Sequence, residues 1–138
     1  MKYSNVVVAG GGVLGSQIAF QAAYCGFNVT IWLRSEGSIG RTQPKIDHLK
    51  QTYIEAIEKM AEDKNVWCAG LADEDTFDKE ECLKKVENAY TNLKLELDMA
   101  KAVADADLVI ESLSEDPKAK IAFYQQMAPL LPEKTVIV

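Results

Sequence analysis

Val6, Val7 and Val8 run straight into Gly10, Gly11 and Gly12, and an alanine-rich segment follows at once. Successive β-branched residues ended by glycines predict a strand buried on both faces, here Tyr3 to Ala9. Leu14, Ile18 and Ala22, with Ala19 and Ala23 beside them, predict a helix from Val13 to Tyr24 with that stripe inward, stopped by Gly26. Val29 to Leu33 is rich in β-formers and predicts a second strand. The chain therefore opens as β-α-β, a unit whose strands are parallel and whose crossover is right-handed.

Residues 34–92 exceed what a simple crossover needs and carry two helical patterns. Ile46, Leu49, Tyr53, Ile57 and Met60 make one apolar face on a helix from Pro44 to Ala61. A second helix starts near Asp78, whose spacing to Glu81 resembles a capping box, and continues through Leu83, Val86 and Tyr90. Leu93 to Leu97 alternates leucine with charge and predicts an edge strand. Asp107 to Leu113 and Thr135 to Val138 predict two short buried strands. Between them Asp116-Pro117 starts a helix, with Ile121, Tyr124, Ala128 and Leu131 inward and Pro129 near its end. The whole predicts an α/β fold: a Rossmann-type, doubly wound parallel sheet of order 3-2-1-4-5, with a helical pair inserted between strands 2 and 3. Residues 1–138 form one dinucleotide-binding domain on this reading.

The formal net charge of −6 gives no overall attraction to nucleic acid or to an anionic membrane, so an anionic ligand must be held locally. Cys25, Cys68 and Cys82 are odd in number and lack CxxC spacing, which argues against a disulfide framework or a zinc site. No apolar stretch reaches the length of a membrane span, and the amino terminus lacks the apolar core of a secretory signal. The expectation is a cytoplasmic protein with no metal.

Gly10, Gly12 and Gly15 stand in GxGxxG spacing at the strand-to-helix junction. In that setting the first glycine permits the tight turn, the second lets backbone approach a pyrophosphate, and the third lets helix and sheet pack closely. Val13 and Leu14 then open the helix whose amides face the phosphates. At the end of the second strand, where a carboxylate holds the adenosine 2'-hydroxyl of NAD, this chain has Leu33, followed by Arg34 and Ser35. A guanidinium and a hydroxyl there suit a 2'-phosphate, which favours NADP over NAD. The alternative is a solvated Arg34 and an NAD whose ribose is less firmly anchored.

The segments VVVAGGGVLGSQIA (residues 6–19) and ADADLVIESLSEDPKAK (residues 104–120), with the helical-pair insertion, resemble the N-terminal NAD-binding domain of the 3-hydroxyacyl-CoA dehydrogenase family, 3-hydroxybutyryl-CoA dehydrogenases included. The second segment is the more specific of the two, because the glycine motif is common to many dehydrogenases. The resemblance implies that Glu115 and Lys120 line the cofactor site and that Glu111 and Ser112 lie at a strand end near the nicotinamide. For Glu111 the plain alternative is an exposed strand-end carboxylate, and for Lys120 a surface charge or a partner of Asp116.

The resemblance further implies an oxidoreductase interconverting 3-hydroxyacyl-CoA and 3-oxoacyl-CoA, with the inserted helices forming part of the surface that receives the acyl-CoA. Lys45 and Lys50 are candidates for its phosphates, or else solvated charges. His48, the only histidine, sits mid-helix and is a poor catalytic candidate. The family's catalytic histidine and glutamate, and the helical domain through which its members dimerise, are expected beyond residue 138; the chain by itself is expected to be inactive and to hold no catalytic residue. Two other readings stay open: a different β-hydroxyacid or sugar-acid dehydrogenase on the same scaffold, independent of CoA, and a non-catalytic dinucleotide-sensing protein.

Overall fold

The structure is a computed structural model that describes residues 3–63, 67–113 and 116–138. Strands β1 (Asn5–Ala9), β2 (Asn28–Trp32), β3 (Lys94–Glu96), β4 (Leu108–Glu111) and β5 (Val136–Ile137) pair in parallel in the order β3-β2-β1-β4-β5. This is the predicted order. Helices α1 (Val13–Tyr24), α2 (Glu36–Glu62) and α3 (Lys79–Asn92) pack against one another on one side. On the other side lie α4 (Met99–Val103) and α5 (Pro117–Met127), the latter running into a 3-10 turn at Ala128–Leu130.

The strands divide their side chains between two cores because successive residues point to opposite faces. Val6, Val8, Val29, Ile31 and Leu33 join Ala19, Phe20, Ile46, Ile57 and Val86 on the first face. Val7, Ala9, Trp32 and Val109 join Met99, Val103, Phe123 and Met127 on the second. The edge-on contacts of Tyr53 with Phe20 (4.7 Å) and Tyr24 (5.6 Å) tie α2 to α1. Burial among these rings pushes the Tyr53 hydroxyl up to about 12.

Several sequence expectations are corrected. Helix α2 begins at Glu36, not Pro44: Ser35 caps it by accepting from the Ser38 amide, and Pro44 sits inside the helix. A proline there removes one backbone bond, yet Ile46, Ile57 and Met60 are buried as the periodicity requires. Of the α1 stripe, Ala19 is buried and Ile18, Ala22 and Ala23 pack against the core as expected, but Leu14 is 63% exposed and Gly15, Ser16 and Phe20 face inward as well. Of the face expected in and after α5, Tyr124 and Leu131 do pack half-buried against the core, but Ile121 and Ala128 are exposed and the buried residues are Phe123 and Met127, the ring of Phe123 packing on that of Trp32 at 5.4 Å. Strand β5 is an exposed edge, not a buried strand, because it pairs with β4 alone. The five-residue α4, capped by Asp98, answers to no sequence expectation.

At the junction of β1 and α1 the backbone leaves no room for side chains on two glycines. Gly10 has φ +114°, and a Cβ on it would lie 2.5 Å from the Ser112 carbonyl oxygen. A Cβ on Gly15 would strike the Gly10 carbonyl. Helix, loop and the end of β4 therefore approach backbone to backbone.

At the opposite end of the sheet Asp107 gathers three segments. One carboxylate oxygen accepts from the Ser4 and Asn5 amides, both at 2.9 Å, and the other pairs with Lys134 Nζ at 2.9 Å. Lys134 first, then the amide of Asn5, hold the Asp107 carboxyl below its usual range.

Two predictions follow from these contacts. Gly15→Ala should destabilise the fold by about 1–3 kcal/mol through overpacking, read as a lower urea midpoint at unchanged m-value; an unchanged midpoint would show that the junction can yield. Because the folded-state value of Asp107 is depressed, its contribution is complete above the unfolded carboxyl value of about 3.9 and disappears as pH falls through the folded value. The melting-temperature gap between the native chain and Asp107→Asn should therefore be full at neutral pH and close on acidification below about pH 4; a gap independent of pH would contradict it.

Candidate functional site

Ligands of open parallel sheets bind beyond the carboxyl ends of the strands, at the point where the strand order reverses. That point here lies between β1 and β4, on the glycine loop. The Gly10 amide donates to Trp32 O at 3.1 Å and the Ser112 amide to Ala9 O at 2.9 Å, fixing the loop against both neighbouring strand ends. Gly12 caps α1, and beyond its immediate chain neighbours a Cβ there would face open space. The first helical bond runs from the Ser16 amide to Gly12 O, 2.9 Å, so the amides of Val13, Leu14 and Gly15 precede the intrahelical ladder. Val13 and Leu14 are 65% and 63% exposed beside them. An open glycine ahead of outward-facing amides is the cradle that a pyrophosphate fits.

Helix α2 completes this cradle. The hydroxyls of Thr42 and Ser16 both donate to Gly11 O, at 3.0 and 3.1 Å. A Cβ on Gly11 would fall on Thr42 and Leu33, so the middle glycine of the run serves the docking of α2. Ser38, Arg41, Thr42 and Lys45 recur at steps of three, one and three, which sets them on one helical face. With the glycine loop, Leu33, Arg34 and Ser35 they line a groove of about 370 Å³.

Within that groove Arg41 Nη2 donates to Ser38 Oγ at 3.0 Å, and Lys45 Nζ to Arg41 O at 3.2 Å. The Ser35 and Ser38 hydroxyls are 3.2 Å apart. Leu33 is buried beneath the loop, its amide bonded to Glu96 O at 2.9 Å, and Arg34 is exposed at the rim. Arg34, Trp32 and Leu113 also line an adjoining groove of about 280 Å³ against Ala119, Ala122 and Phe123 of α5.

At the end of β4, Glu111 is tied down on both oxygens. One accepts from the Leu113 amide at 2.6 Å, and the other pairs with Lys120 at 3.4 Å. Lys120 thus takes Glu111 as its carboxylate, while Asp116 caps α5 by accepting from the Lys118 amide at 3.1 Å. The Ser112 hydroxyl lies against Gly15. Glu115 lies outside the described residues.

The expectations for the inserted helices divide. Lys45 reaches the groove, but Lys50 pairs with Glu87 at 3.0 Å and lies over the Tyr90 ring, bridging α2 to α3. His48 is exposed in an apolar cleft of about 290 Å³ between α1 and α2, together with Val13, Pro44 and Leu49. Ser38, Arg41 and Thr42 escaped the sequence reading because starting the helix at Pro44 left them in a loop. The serines at 35 and 38, a cap and its first-turn partner, were the signal that would have placed them on a helix.

The family model described as "3-hydroxyacyl-CoA dehydrogenase, NAD binding domain" matches residues 5–138. The mitochondrial hydroxyacyl-coenzyme A dehydrogenase of Rattus norvegicus is 28% identical over 132 residues, which cover 96% of this chain and 37% of that protein. Among solved structures, a diketoreductase acting on dicarbonyl compounds superposes with a TM-score of 0.77 at 32% identity, over 98% of this chain and 40% of its own. The 3-hydroxybutyryl-CoA dehydrogenase of Escherichia coli K12 gives 0.70 at 26% identity, over 99% of this chain and 24% of its own. The chain thus spans well under half the length of these relatives. With the model running from the first strand to the last, and the strand order and glycine cradle agreeing with it, the chain belongs to the family of NAD-binding domains of 3-hydroxyacyl-CoA dehydrogenases.

Proposed function

We propose that this chain is the cofactor-binding part of an oxidoreductase that interconverts 3-hydroxyacyl-CoA and 3-oxoacyl-CoA, and that its cofactor is NADP. Hydride exchange between the carbinol carbon and the nicotinamide is the chemistry the cofactor supplies when bound. The chain's own part is to hold that cofactor: amides of the first turn of α1 meet the pyrophosphate, and Glu111, oriented by Lys120 and the Leu113 amide, stands at the nicotinamide end. The proton-transferring histidine, its glutamate and the dimer contact belong to the rest of the enzyme on this reading, and the protein is placed in the cytoplasm.

The observation that carries the cofactor assignment is the groove at the end of β2. Leu33 is buried where a ribose-binding carboxylate would stand, and Arg34, Arg41 and Lys45 line the space. A carboxylate there would repel a 2'-phosphate; three cations attract it.

A second reading has specific support. The diketoreductase, at 32% identity, matches this chain over nearly its whole length, and its substrates are dicarbonyl compounds. On that reading the enzyme would reduce a free dicarbonyl with no CoA.

Titration calorimetry with NADH and NADPH tests the cofactor assignment. NADPH should bind about tenfold more tightly than NADH; equal binding of the two would return the assignment to NAD. The substrate is tested on the full-length enzyme by comparing acetoacetyl-CoA with a free 3,5-dioxo ester. Turnover of the thioester alone supports the acyl-CoA reading, and turnover of the free dicarbonyl alone supports the other.

A further inference from the structure

Resting on the NADP reading above and going beyond it, we infer that specificity for the ribose phosphate is set by Arg41 on the inserted helix, with Arg34 placed instead to cover the adenine.

Arg41 has three properties a phosphate-reading group needs. Its guanidinium is oriented, because Nη2 donates to Ser38 Oγ at 3.0 Å, and Ser38 in turn meets Ser35, whose hydroxyl caps α2. Its backbone is anchored, because the next residue, Thr42, is buried and bonded to the glycine loop at 3.0 Å. Its neighbour on the same face, Lys45, is held to the Arg41 carbonyl at 3.2 Å and adds a second charge. An arginine fixed in this way loses little rotamer freedom on meeting a phosphate, and its planar fork offers two parallel donors.

Arg34 is placed differently. It lines both the phosphate groove and the adjoining hollow, whose lining also includes Trp32, Leu113, Ala119, Ala122 and Gln126. That hollow sets apolar side chains beside polar ones, and a guanidinium at its rim suits the open face of a purine ring seated there. The two arginines therefore divide the adenosine half: Arg34 serves any adenine nucleotide, and Arg41 with Lys45 discriminates by the phosphate. A phosphomonoester on an adenosine ribose also occurs at the 3' position of coenzyme A, so position as well as charge must be tested.

The experiment is calorimetric titration of the chain with 5'-AMP, 2',5'-ADP and 3',5'-ADP, repeated for Arg41→Ala, Arg41→Lys and Arg34→Ala, with thermal melts to establish that each variant is folded. The native chain should prefer 2',5'-ADP over both others. Arg41→Ala should reduce its preference over 5'-AMP by about tenfold to a hundredfold, and Arg41→Lys should restore part of it. Arg34→Ala should weaken all three nucleotides alike. If the native chain does not distinguish 2',5'-ADP from 5'-AMP, the NADP reading itself fails. If it does and Arg41→Ala keeps the preference, the reading stands and Arg41 is not its cause. Tighter binding of 3',5'-ADP that Arg41→Ala abolishes would reassign the clamp to coenzyme A and overturn the inference.

Discussion

The rest of the molecule depends on the close approach of backbones at the glycine loop. The Ser112 carbonyl occupies the space beside Gly10, and the Gly10 carbonyl the space beside Gly15, so two residues without side chains set how deeply α1 seats on the sheet. Everything polar at the site is referred to this contact. The amides that open α1 carry roughly half a unit of positive charge at the helix end, and an anion benefits only if backbone can reach it. With Gly12 facing open space, that reach exists.

The inserted helices share in this arrangement. Ile46 and Ile57 sit in the same core as Phe20 and Val8, and the Tyr53 ring packs edge-on against Phe20 and Tyr24. Burial of the apolar stripe fixes the rotation of α2 about its axis. Once that rotation is fixed, the face bearing Ser38, Arg41, Thr42 and Lys45 has one place to go, across the glycine loop. Thr42, 2% exposed, makes the junction by bonding to Gly11. Packing in the carboxyl-terminal half of the helix thereby positions charge in its amino-terminal half.

The sheet was readable from the sequence because each central strand is a short β-branched run buried on both faces, a pattern that no amphipathic helix produces. Helix faces were less readable. In α1 almost every residue is small or apolar, so periodicity does not choose a side; the contact at Gly15 chooses it, turning Leu14 out and Phe20 in. In α5 the choice falls to the Trp32 and Phe123 rings, which meet across elements far apart in sequence. Pro44 concealed the start of α2, since a proline marks a helix beginning far more often than a helix interior. The glycine cradle and Arg34 were legible as local signals, whereas Arg41 became visible only when the helix was extended back to its serine cap.

The chain carries a formal charge of −6, yet its candidate site gathers Arg34, Arg41 and Lys45. These facts do not conflict, because exposed charges more than about 8 Å apart are largely screened at physiological salt. The net charge governs solubility and keeps polyanions from adhering at large, while the field a ribose phosphate meets is that of the few groups lining its groove. A cation held by a hydroxyl on a helix docked against the glycine loop can act there without competition from distant carboxylates. The choice between one cofactor and its phosphorylated counterpart can therefore rest on a few side chains, leaving the fold, the glycine cradle and the β4 end common to both.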